Sequence, residues 1–177
     1  MKLTPIKIPG VLLIEIESVD DERGFFARTY CVDTLRAAGA AFGEIRQTSV
    51  SYNRERGTLR GLHWQAEPKQ EAKIVHVSAG RIFDVIVDLR RDSAGYCDWF
   101  GVELDARRHD AVLIPAGCAH GFLTLEPDCT VEYAMDADYA PEFARGCGWD
   151  DPAFGIAWPF VPTVMSERDR TWPNFKP

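Results

Sequence analysis

The chain has 177 residues, of which 46% are hydrophobic, and its formal net charge at pH 7 is −7. A chain of this length can bury a core without help from disulfides or a metal. The acidic balance argues against a nucleic-acid-binding protein, and no run approaches the roughly 18 apolar residues of a membrane helix. We therefore expect one domain over residues 1–177, with neither nucleic acid nor membrane as a partner.

The cysteines and the N-terminus indicate a compartment. Five widely spaced cysteines with no Cys-x-x-Cys pair predict neither a disulfide framework nor a zinc site. The segment Met1–Pro5 opens the chain without the apolar core of a signal peptide. A reducing, cytoplasmic location is the expectation.

The first quarter of the chain alternates short elements with turns. Residues 11–16 have the apolar character of a strand. Residues 20–24 have the composition of a turn, which leads into a second predicted strand over 25–30. The segment 33–39 predicts a short helix, because an acidic residue stands at its start and a glycine at its end.

From residue 45 onward the pattern is that of short strands separated by turns rich in Gly, Pro, Asn and Asp. Eight such strands without intervening helices are typical of an antiparallel sandwich or barrel. Irregular chain rich in Pro and Trp follows from Pro141. The predicted strands are Arg46–Tyr52, Thr58–Gln65, Ala72–Ser78, Arg81–Leu89, Trp99–Leu104, Ala111–Ile114, His120–Leu125 and Thr130–Met135.

One histidine stands out within these strands. His63 lies in a hydrophobic run, Gly57–Gln65, that glycine opens and interrupts, and Lys73 lies in the next strand. If the two strands are neighbours in one sheet, both side chains can face the same space. A neutral imidazole beside an ammonium group is a base next to an electrophile, which suits removal of a proton next to a carbonyl.

The segment Pro115–His120 resembles the second motif of the cupins, Pro-x-Gly-x-x-His. Metal-binding cupins supply His-x-His in their first motif, whereas this chain has His63 followed by Gln65. An amide is a poor ligand for zinc or iron, and adding Glu67 or Glu71 leaves the ligand set incomplete. We expect no metal and no other cofactor.

Longer blocks resemble one cupin family, the dTDP-4-dehydrorhamnose 3,5-epimerases. The likeness runs with even spacing from about Pro5 to Phe175, and the Leu-Arg-Gly-Leu-His and Ala-His-Gly-Phe blocks are specific. The blocks are Arg23–Phe26, Leu59–Gln65, Lys73, Phe83–Arg90, Ile114–Phe122, Trp149–Pro152 and Ile156–Pro159.

This resemblance implies an all-β fold, a cupin jelly roll (double-stranded β-helix) with short peripheral helices. It also implies a homodimer that inverts C3 and C5 of a nucleotide-linked 4-keto-6-deoxyhexose without a cofactor. Such chemistry needs a base on one face of the sugar, an acid on the other, and a group that stabilises the enolate between them.

The resemblance assigns these roles to particular residues. His63 would be the base, and Asp169 the carboxylate that orients it. Lys73 would bind the C4 oxygen as it becomes an enolate, and Tyr133 would be the acid on the opposite face. Arg60 would bind the pyrophosphate, because a guanidinium can contact it bidentately.

Further residues match positions near the substrate. Arg23 and Phe26 match residues that reach the nucleotide of the other subunit, and His120 with Asp84 resembles a second buried pair lining the site. Tyr139 competes with Tyr133 for the role of the acid and could instead pack against the sugar. The remaining candidates for substrate binding are Arg28, Gln47, Ser49 and Arg168.

Two positions depart from the rhamnose-pathway form: arginine replaces glutamate at Arg28, and serine replaces asparagine at Ser49. An arginine can only donate hydrogen bonds, which suits a base other than thymine. The nucleotide is therefore open among dTDP, CDP and GDP. A mono-epimerase, a 3,4-ketoisomerase and a non-catalytic sugar-binding cupin are the alternative functions.

Overall fold

The computed structural model describes residues 1–177, which form two antiparallel sheets and a separate hairpin. The sheets face each other, as in a jelly roll, and enclose the core. The strands are β1 (Lys2–Pro5), β2 (Leu12–Glu15), β3 (Ser18–Asp21), β4 (Gly24–Ala27), β5 (Gln47–Asn53), β6 (Leu59–Gln65), β7 (Lys73–Ala79), β8 (Arg81–Asp88), β9 (Trp99–Asp105), β10 (Ala111–Ile114), β11 (Cys118–Thr124), β12 (Cys129–Met135) and β13 (Ala144–Gly146).

Helical structure is confined to three short segments. These are α1 (Val32–Ala37), a 3-10 turn (Pro141–Phe143) and α2 (Glu167–Thr171). None of them has the length and apolar character that crossing a membrane requires. The helix predicted over 33–39 is confirmed, although it begins and ends slightly earlier.

The strand order shows how the two sheets are connected. One sheet has the order β1-β2-β10-β7-β12-β5, the other has the order β13-β6-β11-β8-β9, and β3 pairs only with β4. Non-consecutive neighbours in both sheets mean that the chain crosses repeatedly between them. This arrangement confirms the predicted all-β cupin jelly roll with short peripheral helices.

The main core lies between the two sheets. Alternate side chains of the strands point inward, so that β7 and β12 contribute valines and β8 contributes isoleucines. The aromatic ring of Phe122 on β11 is also fully buried. Members of this core include Val75, Val77, Ile82, Ile86, Leu104, Val112 and Val131.

All eight strands predicted after residue 45 are present, and five other elements were missed. Strand β3 occupies part of the segment predicted as a turn, and all four of its residues are exposed. An exposed hairpin strand buries neither face, so its sequence shows no alternation. The other missed elements, which are β1, the 3-10 turn, β13 and α2, have only three to five residues each.

One prediction about the sheets was wrong. His63 lies on β6 and Lys73 on β7, and these strands belong to different sheets rather than being neighbours in one. The two side chains nevertheless line the same cavity, because they approach it from facing walls. Consecutive strands in a jelly roll often alternate between sheets, and local sequence carries no signal for that alternation.

Candidate active site

His63 forms a short hydrogen bond with a carboxylate from the far end of the chain. Its Nε2 atom lies 2.5 Å from Oδ1 of Asp169. The Asp169 side chain is buried, whereas 42% of the His63 side chain is exposed. When Nε2 donates to the carboxylate, the neutral ring carries its lone pair on Nδ1, so this pair can act as an oriented base.

Helix α2 places Asp169 beside the histidine. Ser166 caps this helix, because its hydroxyl accepts a hydrogen bond from the Asp169 backbone N–H at 3.1 Å. The helix leads into Trp172, which packs on Gly146 of β13. A Cβ atom on Gly146 would lie 2.4 Å from the indole, so glycine is required for this close approach.

The surroundings keep Asp169 ionised. Burial acts to raise the pKa of this carboxyl, but hydrogen bonds from His63 and Ser166 and the attraction of the His63 ring outweigh burial. The pKa of Asp169 is therefore below its ordinary value. An ionised carboxylate is the form that can orient a neutral imidazole and stabilise the imidazolium that proton abstraction produces.

Two glycines allow β6 to approach β11 at the histidine. Gly61 has a φ of +122°, and a Cβ atom there would lie 2.5 Å from the Cα of Gly121. The pairing of the two strands shifts register between His120 and Phe122 and sets His63 directly opposite His120. The Leu-Arg-Gly-Leu-His and Ala-His-Gly-Phe blocks are thus two halves of one local structure.

His120 forms the second histidine–carboxylate pair. Its Nε2 atom lies 2.7 Å from Oδ2 of Asp84 on the adjacent strand β8. Both side chains are buried, and Oδ1 of Asp84 has no hydrogen-bond partner. His120 lines the cavity while Asp84 lies behind it, so Asp84 holds the ring in place without contacting the cavity itself.

Lys73 enters the cavity from the opposite sheet. Its ammonium group lies 2.7 Å from Oε1 of Glu71, and both side chains are largely buried. Glu71 thus forms its ion pair with a lysine and hydrogen-bonds to neither of the two histidines. No group of three His, Cys, Asp or Glu side chains is arranged to hold a metal ion.

Tyr133 lies on β12, beside the strand that carries Lys73. Its ring packs edge-on against that of His120, with 6.2 Å between the ring centres. Burial raises the pKa of the Tyr133 phenol, and the Asp84 carboxylate raises it as well, against the opposite effect of Arg60. The phenol is therefore protonated at neutral pH and has a proton to donate.

These side chains meet in one cavity of about 570 Å³ between the sheets. Its volume is within the usual range for small-molecule sites. It contains both acidic and basic groups, and Tyr139 lies at its edge with 56% of its surface exposed. Predicted site residues that line it are Ser49, Arg60, His63, Lys73, His120, Tyr133, Tyr139, Arg168 and Asp169.

Four predicted substrate-binding residues lie outside this cavity. Arg23 and Phe26 are on the exposed β3–β4 hairpin, where Arg23 pairs with Asp21. Arg28 follows this hairpin and is exposed. Gln47 begins β5, and its side-chain oxygen accepts a hydrogen bond from the Tyr139 backbone N–H at 2.6 Å.

Sequence reasoning missed several cavity residues. Glu71 was considered only as a metal ligand, although its spacing of two from Lys73 on an extended chain places both on one face. Ser166 carried a usable signal, because Ser-x-x-Asp is typical of a helix start. The other missed lining residues are Val50, Ser51, Phe122 and Met135.

Comparison with known proteins shows the family to which this chain belongs. A family model described as dTDP-4-dehydrorhamnose 3,5-epimerase matches residues 5–177. The chain belongs to this family. The dTDP-4-dehydrorhamnose 3,5-epimerase of Methanothermobacter thermautotrophicus is 41% identical over 169 residues, which cover 93% of this chain and 89% of that protein.

Solved structures of the epimerase family superpose closely on this chain. The Bacillus anthracis dTDP-4-dehydrorhamnose 3,5-epimerase, solved with TDP and PPi bound, has a TM-score of 0.94 at 38% identity, and the match covers 98% of this chain and 99% of that one. ChmJ, a 3'-monoepimerase from Streptomyces bikiniensis solved with dTDP-quinovose, has a TM-score of 0.87 at 33% identity, covering 96% and 86%. The predicted family and fold are confirmed.

Proposed function

We propose that this protein is an isomerase that inverts C3 and C5 of a nucleotide-linked 4-keto-6-deoxyhexose, converting dTDP-4-dehydro-6-deoxyglucose to dTDP-4-dehydrorhamnose. One observation carries the proposal. His63 on one sheet, with Asp169 from α2, faces Lys73 and the Tyr133 phenol on the other sheet across a single cavity. These are the groups that proton removal and return next to a ketone require.

Proton abstraction is the task of His63. Its hydrogen bond to Asp169 fixes the tautomer and stabilises the positive charge that the ring gains when it takes the proton. Lys73, on the facing wall, supplies a positive charge to the C4 oxygen as the carbanion is delocalised onto it. A preorganised charge of this kind stabilises the enolate without solvent reorganisation.

Return of the proton from the other face is the task of Tyr133. Inversion requires an acid on the side of the ring opposite to the base, and Tyr133 belongs to the sheet that faces His63. Its raised pKa keeps it in the phenol form. A 3,4-ketoisomerase needs no acid across the ring, so Tyr133 favours epimerisation over that alternative.

The nucleotide end of the substrate would be held by basic and polar groups at the rim. The Arg60 Nε atom donates to Oδ1 of Asn53 at 2.7 Å, which fixes the plane of the guanidinium for the pyrophosphate. Arg168 stacks on Trp172, with its guanidinium carbon 4.9 Å from the ring centre. Ser49 and Tyr139 complete this rim.

We further propose that the protein is a homodimer in which each subunit helps to complete the other's site. Outside the six-stranded sheet, an apolar groove of about 470 Å³ shares Ser49, Val50 and Tyr133 with the site cavity. The β3–β4 hairpin carries the exposed Phe26 and Arg23. Seating this hairpin in the partner's groove would bring both residues to the nucleotide, and sedimentation should give twice the 19.9 kDa chain mass.

The experiment that tests the reaction is proton NMR of dTDP-4-keto-6-deoxyglucose with the protein in deuterated water. Loss of both the C3 and C5 signals, with a rhamno-configured product trapped by a reductase, supports 3,5-epimerisation. If neither signal is lost with any nucleotide form of the sugar, a non-catalytic sugar-binding protein is the better description.

A second candidate is a mono-epimerase, which the close likeness to the S. bikiniensis 3'-monoepimerase favours. Loss of only one of the two proton signals would establish it. The nucleotide is tested separately by comparing the binding of dTDP, CDP and GDP, since Arg28 stands where the rhamnose-pathway form has glutamate. A clear preference for dTDP would remove the idea of another base.

We also propose that residues 1–177 act as one domain in the cytoplasm. The five cysteines are all free thiols, which is the state that a reducing compartment maintains. Fluorescence microscopy of the tagged protein would test the location.

A further inference from the structure

Gln65 is the most heavily bonded side chain near the cavity. Its oxygen accepts from the Ala140 backbone N–H at 2.6 Å. Its nitrogen donates to the Lys69 carbonyl at 2.8 Å and lies 3.2 Å from Oε2 of Glu71. Because the Ala140 contact requires the amide oxygen, the orientation of the amide is fixed: one N–H is directed to the Lys69 carbonyl, and the other is shared between Oε2 of Glu71 and the Asp138 carbonyl, which lies at 3.3 Å.

Glu71 thereby receives two donors, one on each carboxylate oxygen. Oε1 accepts from the Lys73 ammonium at 2.7 Å, and Oε2 accepts from Gln65. The Glu71 and Lys73 side chains are only 11% and 9% exposed, so this contact is weakly screened by water. The carboxylate holds the lysine from one side and is itself held by an amide that cannot turn.

We propose that Glu71 is a positioning residue for Lys73: its carboxylate bridges the Gln65 amide and the lysine ammonium, and so aims the ammonium into the cavity. This inference rests on the proposed function, in which Lys73 stabilises the enolate. One N–H of the ammonium is bonded to Glu71, and the other two remain for the sugar oxygen.

The bridge requires a carboxylate rather than an amide. A carboxylate has acceptor oxygens at both ends, whereas an amide has one oxygen and one NH₂ group. In a Glu71→Gln variant, the new side chain can offer its oxygen to Lys73 or to Gln65, but it must face the other donor with its own N–H groups. One of the two contacts therefore breaks while the shape is preserved.

The test compares Glu71→Gln with Glu67→Gln, which makes the same chemical change at an exposed position of the same loop. For wild type and both variants, kcat and KM are measured by C3 and C5 exchange in deuterated water, and the dTDP Kd by calorimetry. We expect kcat of Glu71→Gln to fall about 10-fold, with KM and the dTDP Kd changed less than about twofold. Glu67→Gln should match wild type.

The outcomes separate this inference from the function on which it rests. Absence of exchange in the wild type would overturn the proposed function. Exchange in the wild type with an unchanged kcat in Glu71→Gln would overturn only the positioning role, as would an equal loss in Glu67→Gln or a rise in KM without a fall in kcat. If Glu71→Gln does not fold, Glu71→Asp keeps the charge but shortens the reach, and the same fall in kcat is expected.

Discussion

The protein contains two histidine–aspartate pairs, whose histidines lie directly opposite each other on β6 and β11. The pairs differ in their exposure and in where their carboxylates come from. His63 is partly exposed and its carboxylate comes from α2, 106 residues away. His120 and Asp84 are buried within one sheet on adjacent strands. The partly exposed pair can exchange protons with substrate and solvent, whereas the buried pair presents only the His120 ring to the cavity, and its carboxylate fixes the position of that ring.

Removing the partly exposed pair's histidine should have the largest effect. His63→Ala deletes the base, and we expect the rate of exchange at C3 and C5 to fall about 10³-fold, as for other general bases. Binding of dTDP, measured by calorimetry, should stay near the wild-type value. An exchange rate within tenfold of wild type would show that the base lies elsewhere.

Changing the carboxylate of the same pair should have the next largest effect. Asp169→Asn keeps the shape but can favour the wrong tautomer of His63, so we expect kcat to fall up to about 100-fold. Glu167→Gln, at an exposed position of the same helix, is the matched control. Equal kcat values for the two variants would contradict an orienting role for Asp169.

Changing the carboxylate of the buried pair should lower the free energy of unfolding rather than kcat. Asp84→Asn leaves a fully buried group with impaired hydrogen bonding, which should lower the free energy of unfolding by about 1–3 kcal/mol. We expect this loss, measured by urea denaturation, to exceed that of Asp169→Asn. A larger loss in Asp169→Asn would reverse the distinction between the two pairs.

The pH dependence of stability should show the smallest effect. The pKa of Asp169 is below its ordinary value in the folded protein, so its contribution to stability is present above the unfolded pKa and is lost as pH falls through the folded pKa. His63→Ala removes the hydrogen bond and the attraction of the His63 ring, which lower this pKa, and leaves burial, which raises it, opposed only by the contacts of Ser166 and the Gly61 backbone. Melting temperatures between about pH 3 and 5 should therefore fall less steeply with falling pH in His63→Ala than in wild type, and parallel curves would refute this.

Local pattern was sufficient for the elements that have one buried face. Strands β6, β7, β8 and β11 each bury most of their residues, and their apolar character was visible in the sequence. The hairpin β3–β4 was only half recognised because its residues face solvent on both sides. Helix α2 was missed because five residues are too few for a periodic pattern.

The composition of the site depended on the resemblance more than on local pattern. Nothing near His63 in the sequence indicates that Asp169 is its partner, since that contact depends on how the whole chain packs. The facing positions of His63 and Lys73 likewise follow from the sheet to which each strand belongs. Glu71 was visible beside Lys73, but its link to Gln65 depends on the conformation of the loop between them.

Helix α2 also has a consequence for biosynthesis. Every strand of both sheets precedes Asp169 in the order of synthesis, because α2 follows β13 along the chain. The two sheets can come together while the His63 imidazole still lacks its carboxylate. An emerging chain can therefore assemble the walls of the cavity before its base is complete, and His63 becomes fully oriented only when α2 has left the ribosome.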